Sequence, residues 1–238
     1  MIINPEKCNG CRICIPYCPG EAMRFSDRLK KVQVSQKKCF ECGVCRATVP
    51  CPTAAFEEPE LSYERQIRKF FSNPKATHKL TGVPGRGTEE SKTNDVTGRV
   101  SKDEVGICIE MGRPVAGCTF KDISFIAENL FKRGVTFERQ NPLYAFMDEK
   151  TGKMPEALLG ARIVSAILEI RVKRSDFAQI ITDIIRFGRH VDTVFSLGII
   201  CRYNQDNQPE VQSLIDHLRI ASWNNVKINV GLGKPLIP

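Results

Sequence analysis

The 238-residue chain has no long apolar run, few histidines and no block of like charge. No stretch approaches the roughly 18 apolar residues that a membrane span needs, so a membrane protein is not expected. The start, MIINPEKC, lacks the apolar core of a secretory leader, and the expectation is a cytoplasmic chain, where disulfides are rare. His78, His190 and His217 are scattered and read as surface or capping residues rather than catalytic bases. There is no G-x-S-x-G, no strand-linked G-x-G-x-x-G and no H-E-x-x-H, so the common hydrolase, dinucleotide and zinc-protease signatures are missing. GRG at 85–87 lacks the Gly-Lys-Ser/Thr ending of a phosphate loop. The net charge is +8, but bases and acids are interleaved, the pattern of a solvated surface, so nucleic acid is not an expected partner. With 42% hydrophobic and 26% charged residues, disorder is not favoured either.

Cysteine is what the chain has in excess. Eight of its 11 Cys fall before residue 52, which points to a small Cys-rich module followed by an ordinary globular part. Clustered Cys in a reducing compartment bind metal or do redox chemistry. They form an internal repeat. Cys8, Cys11, Cys14 and Cys18-Pro19 recur as Cys39, Cys42, Cys45 and Cys51-Pro52, each copy reading C-x2-C-x2-C, a gap, then C-P and a small-residue segment ending in Ala22 or Ala54. Three Cys at two-residue gaps can wrap one iron–sulfur cubane. Structural zinc is the competing expectation, since paired C-x2-C units also bind zinc. Zinc requires neither a third Cys at the same short gap nor a trailing Pro, twice over.

The two copies resemble the bacterial-type two-cluster ferredoxin over residues 1–58. That resemblance implies two [4Fe-4S] clusters with a crossover of ligands. Cluster I would be held by Cys8, Cys11, Cys14 and Cys51, and cluster II by Cys18, Cys39, Cys42 and Cys45, because the Cys ahead of Pro ligates the other cluster. Copy one ends in the usual C-x3-C-P. Copy two departs from it with RATVP between Cys45 and Cys51, which lengthens a loop. Each four-thiolate cubane carries roughly −2 when oxidised, which brings the net charge to about +4. Between the copies, Met23 and Phe25 alternate, as do Val32 and Val34, the mark of a hairpin.

Beyond the module, Tyr63, Ile67, Phe70 and Phe71 share a helical face that Pro74 closes, giving a linking helix. Residues 76–104 have no periodicity and read as a linker or a functional loop. Arg86 and Arg99 are suited to clamping a carboxylate there. From 105 the pattern is a strand (VGICIEM), a helix with Ile123, Ile126, Leu130 and Phe131 before Gly134, and a strand (VTFE). Then come a strand with one wet face (SAILEIRV, its polar side Ser165, Glu169 and Arg171) and a helix capped by Ser175 with Phe177, Ile180, Ile181, Ile184 and Ile185. A strand through Phe195, Leu197, Ile199 and Cys201 follows. A helix near Pro209 and a last strand, VKINV, complete the chain. Cys201 reads as an apolar filler, Cys118 as a loop residue, and Cys108 shares a strand face with Glu110. The expected fold is α+β: a dicluster ferredoxin domain (1–58), a linking helix and long Gly/Thr/charged loop (59–104), and a ferredoxin-like βαββαβ plait with an extra helix and strand (105–238).

VPGRGTEESKTNDVTGR, VGICIEMGRPVAG, DTVFSLGIICR and VKINVGLGKPL are similar to the N-terminal half of 6-hydroxynicotinate reductases, a likeness spanning nearly the whole chain. It implies an anaerobic, ferredoxin-dependent reductase of nicotinate breakdown with iron–sulfur and flavin centres, of which this chain would lack the C-terminal half. On it, the loop around Thr93, Asn94 and Asp95 becomes a site or partner surface, and Arg86 or Arg99 suits a small anionic substrate. Three functions stay open. The chain is an electron relay that docks a flavin-bearing redox partner, a heteroaromatic-acid reductase (alone or as a homo-oligomer), or a redox or ligand sensor.

Overall fold

The computed structural model describes residues 1–77, 87, 99–113, 117–206 and 208–220. His78, Arg86, Thr93, Asn94, Asp95 and the VKINV strand lie outside the described residues. The described chain is α+β.

The first core is built by residues 1–57. Strand β1 (Ile2–Ile3) pairs antiparallel with β4 (Phe56–Glu57) and ties the two ends of the segment together. The hairpin β2 (Met23–Ser26) and β3 (Lys31–Val34) sets Met23 against Val34 and Phe25 against Val32. A short helix, α1 (Val44–Thr48), follows the second Cys run. The buried residues here are Met1, Ala22, Met23, Val32 and Ala55 together with Cys8, Cys14, Cys39 and Cys45. So few apolar side chains make a thin core. A unit this small needs a staple such as a metal group to hold it.

Helix α2 (Tyr63–Ser72) straps this core to the next. Ile67 and Phe71, one turn apart, belong to the second core, while Arg68 beside them reaches back to the first. Tyr63, expected on the apolar face, is 61% exposed, and Arg68 is buried instead. The helix is covered on two flanks, and its first-turn aromatic stays in water.

The second core surrounds a four-stranded antiparallel sheet of β5 (Glu104–Met111), β7 (Thr136–Phe137), β9 (Ala166–Lys173) and β10 (Phe195–Ile200), in the order β10-β5-β9-β7. Between β5 and β7 runs α3 (Phe120–Phe131), and between β9 and β10 runs α4 (Phe177–Gly188). Val105, Ile107, Ile109 and Met111 of β5 and Ala166, Leu168, Ile170 and Val172 of β9 are buried in one core with Ile123, Ile126 and Leu130 of α3 and Phe177, Ile180, Ile181 and Ile184 of α4. Each of these Val, Leu, Ile, Met and Phe side chains contributes about 1.5–3 kcal/mol by leaving water. A further helix, α5 (Gln212–His217), the last among the described residues, follows the buried Val211.

Four local expectations change. Cys118 is not in a loop: with Thr119 it forms β6 (Cys118–Thr119), which pairs with β8 (Arg162–Ile163). Thr119 then caps α3, exchanging hydrogen bonds with Asp122 in a capping box whose T-x-x-D signal is plain in the sequence. The N-cap of α4 is Asp176 rather than Ser175, because a 3-10 turn (Arg174–Asp176) precedes the helix, and Ser175 donates to Asp176 instead. Phe187 completes the α4 stripe in place of Ile185, which is 37% exposed. The polar side of β9 is wet only at Arg171, which stays partly exposed. Ser165 and Glu169 are buried, and the Asn141 amide donates to Glu169 at 2.9 Å and to the Ile167 carbonyl at 2.9 Å, covering that side.

Candidate metal centre

The eight N-terminal Cys divide into two sets of four. Cys8, Cys11, Cys14 and Cys51 line one recess of about 330 Å³, walled by Ile3, Ile13, Val32, Val49, Ala55 and Phe56. Cys18, Cys39, Cys42 and Cys45 line a second of about 350 Å³, walled by Met1, Ala22, Met23, Val34 and Phe40. Each recess takes three Cys from one copy of the repeat and the Cys-Pro cysteine from the other. None is in a disulfide.

The backbone repeats with the cysteines. Left-handed residues stand at Gly10 and Glu41, at Arg12 and Gly43, and at Glu21 and Ala54, equivalent places in the two copies. Three of these, Arg12, Glu41 and Glu21, are bulky residues that avoid this region unless the surroundings impose it. Gly10 has no alternative: a Cβ there would stand 2.3 Å from the Lys30 carbonyl oxygen. Two backbone donors reach sulfur at matching positions, Ala22 N–H to Cys18 Sγ (3.2 Å) and Ala55 N–H to Cys51 Sγ (3.4 Å). The counterpart of Ala22 is therefore Ala55, one residue beyond the Ala54 expected from the small-residue segment.

Packing thiols together in an apolar recess penalises their charged form. Burial, then the neighbours Cys11, Cys8 and Cys51 push Cys14 up to about 11, against a backbone hydrogen bond. Burial, then Cys42, Cys39 and Cys18 push Cys45 up to about 11 as well. Cys39 and Cys42 rise mainly through burial. Burial also raises Cys51, but hydrogen bonds from the Ala55, Thr53 and Ala54 backbone and the Thr53 hydroxyl outweigh it and hold the thiol low. Iron binds the thiolate, and a cationic iron–sulfur core removes both the repulsion and the desolvation cost. Among the described residues, no three His, Cys, Asp or Glu converge tightly enough to hold a single ion. Zinc would draw four sulfurs to about 2.3 Å from one point. Here the thiols surround a volume, which fits a cubane.

Several residues of this centre carry no cysteine-like signal. The Arg68 guanidinium donates to the carbonyls of Gln36 (2.9 Å), Lys37 (3.3 Å) and Cys39 (3.2 Å) and pairs with Glu64. Arg65 holds the buried Glu41 with bonds of 2.8 and 2.5 Å. Burial works against the Glu41 carboxylate, but the Met1 amino group and Arg65 hold its pKa below the ordinary value. Phe40 is 3% exposed and lies against the second unit: a Cβ on Gly117 would stand 2.7 Å from its ring, and Arg162 sits 5.0 Å over it. The available sequence signal was the Arg65/Arg68 pair, three apart on α2 beside its apolar stripe.

Arg68→Ala should strip the charged donor from three carbonyls around Cys39 and cost about 2–3 kcal/mol in denaturant unfolding. Arg68→Lys should restore only part, because an ammonium lacks the guanidinium fork. Equal stability of Ala and wild type would dismiss Arg68 as a brace.

Residues 1–24 match the family model of the 4Fe-4S binding domain. The N-terminus is a 4Fe-4S binding domain. The 4Fe-4S segment is similar to the indolepyruvate oxidoreductase subunit IorA of Pyrococcus horikoshii, 39% identical over 56 residues, which are 24% of this chain and 8% of that protein. The Pyrococcus abyssi subunit of the same name is 38% identical over 56 residues. Ferredoxin YfhL of Escherichia coli is 29% identical over 73 residues, 28% of this chain and 83% of that ferredoxin. The chain thus spans 8% of the length of the IorA relatives. It matches no solved structure.

The other candidates lie apart from the 4Fe-4S segment. Arg99 is engaged by its own protein, 3.4 Å from Glu138 and hydrogen-bonded to Gln140. With Cys108, Glu138, Glu169 and Arg171 it lines a recess of about 280 Å³, and Arg171 too is engaged, 3.6 Å from Glu104. Burial, then Asp122, pushes the Cys118 thiol up to about 12, and burial raises Cys201. Cys118 is buried and Cys201 half-buried, and a raised thiol holds little of the reactive thiolate. Among the described residues, no helix is long and apolar enough to cross a membrane.

Proposed function

We propose that the chain is an electron-transfer subunit that relays low-potential electrons to a flavin-bearing reductase partner. In this reading it has two [4Fe-4S] clusters, one on Cys8, Cys11, Cys14 and Cys51 and one on Cys18, Cys39, Cys42 and Cys45. The observation that carries it is the division of eight cysteines into two mixed recesses. The clusters supply one-electron chemistry. The chain's own residues supply the thiolates, the N–H donors at Cys18 and Cys51, and the apolar walls that exclude water. Hydrogen bonds to sulfur and burial set cluster potential.

The division of labour follows the two cores. Residues 1–58 form the dicluster ferredoxin domain, 59–104 the connection, and 105–238 a ferredoxin-like plait that docks the partner. The β-α-β-β-α-β order and the antiparallel β10-β5-β9-β7 sheet support the plait. The subunit role draws support from the two IorA relatives, which are named as a subunit of an oxidoreductase. A cytoplasmic location keeps the thiols reduced until iron arrives.

The test is a native mass spectrum of the protein purified anaerobically from its source. Two clusters and a separate flavin-bearing subunit are expected. A self-assembly carrying its own flavin would replace the relay with the reductase reading, centred on residues 82–99.

A further inference from the structure

Cys11 is the one exposed cysteine of the eight. The opposite end of the module is closed: Phe40 and Glu41 are buried, and Arg65 and Arg68 of α2 bind there. A diffusing protein therefore gains its shortest approach to the centre beside Cys11.

The surface there has the make-up of a transient docking site. The loop Gly10–Ile13 packs on the β2–β3 hairpin through the Gly10–Lys30 contact, and the Arg12 guanidinium stacks 3.7 Å above the Phe25 ring. Ile13 and Leu29 are 41% and 49% exposed. Around them, residues 24–31 hold Arg24, Arg28, Lys30 and Lys31 against the single acid Asp27, and Arg12 adds a further cation. Lys30 touches Asp27 only at 3.9 Å, with both side chains in water, so its charge is hardly spent. Bases and acids interleave over the chain as a whole, but four bases against one acid make this hairpin a local concentration of positive charge. An apolar centre rimmed by one sign of charge favours fast, salt-sensitive association with an oppositely charged partner.

We propose that this face, Arg12, Ile13, Arg28, Leu29 and Lys30 around Cys11, docks a small acidic electron-carrier protein. The proposal rests on the iron–sulfur relay reading, and it adds where the carrier binds and what charge it bears. On docking, the carrier gives up one electron and the chain gains one.

The test uses the iron-loaded protein with a reduced acidic flavodoxin as probe. Carbodiimide coupling should join Lys30 to a flavodoxin carboxylate, located by peptide mass spectrometry. Arg28→Glu/Lys30→Glu should slow association at low salt by about 10-fold or more, with the gap closing in high salt. Iron content and reduction by dithionite should stay as in the wild type. An unchanged association rate, coupling only at lysines outside the hairpin, or tighter binding of a DNA oligonucleotide to the same face would overturn the docking site. A protein that takes up no iron would instead overturn the relay reading, which the iron assay decides first.

Discussion

Replacing Cys51 with Ser is expected to empty the recess of Cys8, Cys11 and Cys14 and leave its neighbour filled. Iron should fall by about half, from about eight to about four per chain. The expectation follows from position: Cys51 lies in the second copy of the repeat but lines the first recess, where its charge bears on Cys14. Alkylation under native, anaerobic conditions reads out which thiols are released. Cys8, Cys11 and Cys14 should become reactive while Cys18, Cys39, Cys42 and Cys45 stay protected. Cys18→Ser should give the mirror result. Release of Cys39, Cys42 and Cys45 by the Cys51 variant would mean that each copy folds on its own cluster.

The second large effect concerns the strap. Phe71 is 1% exposed and meets Phe120 and Phe146 edge-on, with ring centroids 5.6 and 6.1 Å away. Phe71→Ala removes the aromatic that anchors α2 in the second core and should cost about 3–5 kcal/mol in denaturant unfolding. Because Arg68 of the same helix braces the Cys39 loop, the variant should also lose iron faster to a chelator. A cost below about 1 kcal/mol would place the anchor elsewhere on the helix.

The two predictions differ in how much of their basis the sequence carries. The repeat, the eight thiols and the hairpin between them were legible, because cysteine spacing and period-two alternation are local signals. The sheet was legible as strands and helices in order, since Ile107, Ile109, Leu168 and Ile170 alternate where β5 and β9 pass through the core. What escaped depends on contacts between distant segments. The Arg65/Arg68 spacing marks an edge of α2 but does not say that Arg68 reaches three carbonyls some thirty residues earlier. Glu169 reads as solvent-facing until Asn141 is placed over it. Left-handed Arg12 and Glu41 are invisible because their conformation is imposed by the wrap of the cysteines rather than preferred by the residue.

The measurement closest to the central claim is an iron and acid-labile sulfide count on anaerobically purified protein, read with the paramagnetic spectrum after reduction. About eight iron and eight sulfide per chain are expected, with two reduced-cluster signals that broaden each other. About four iron with a single signal, or zinc in place of iron, would contradict that claim.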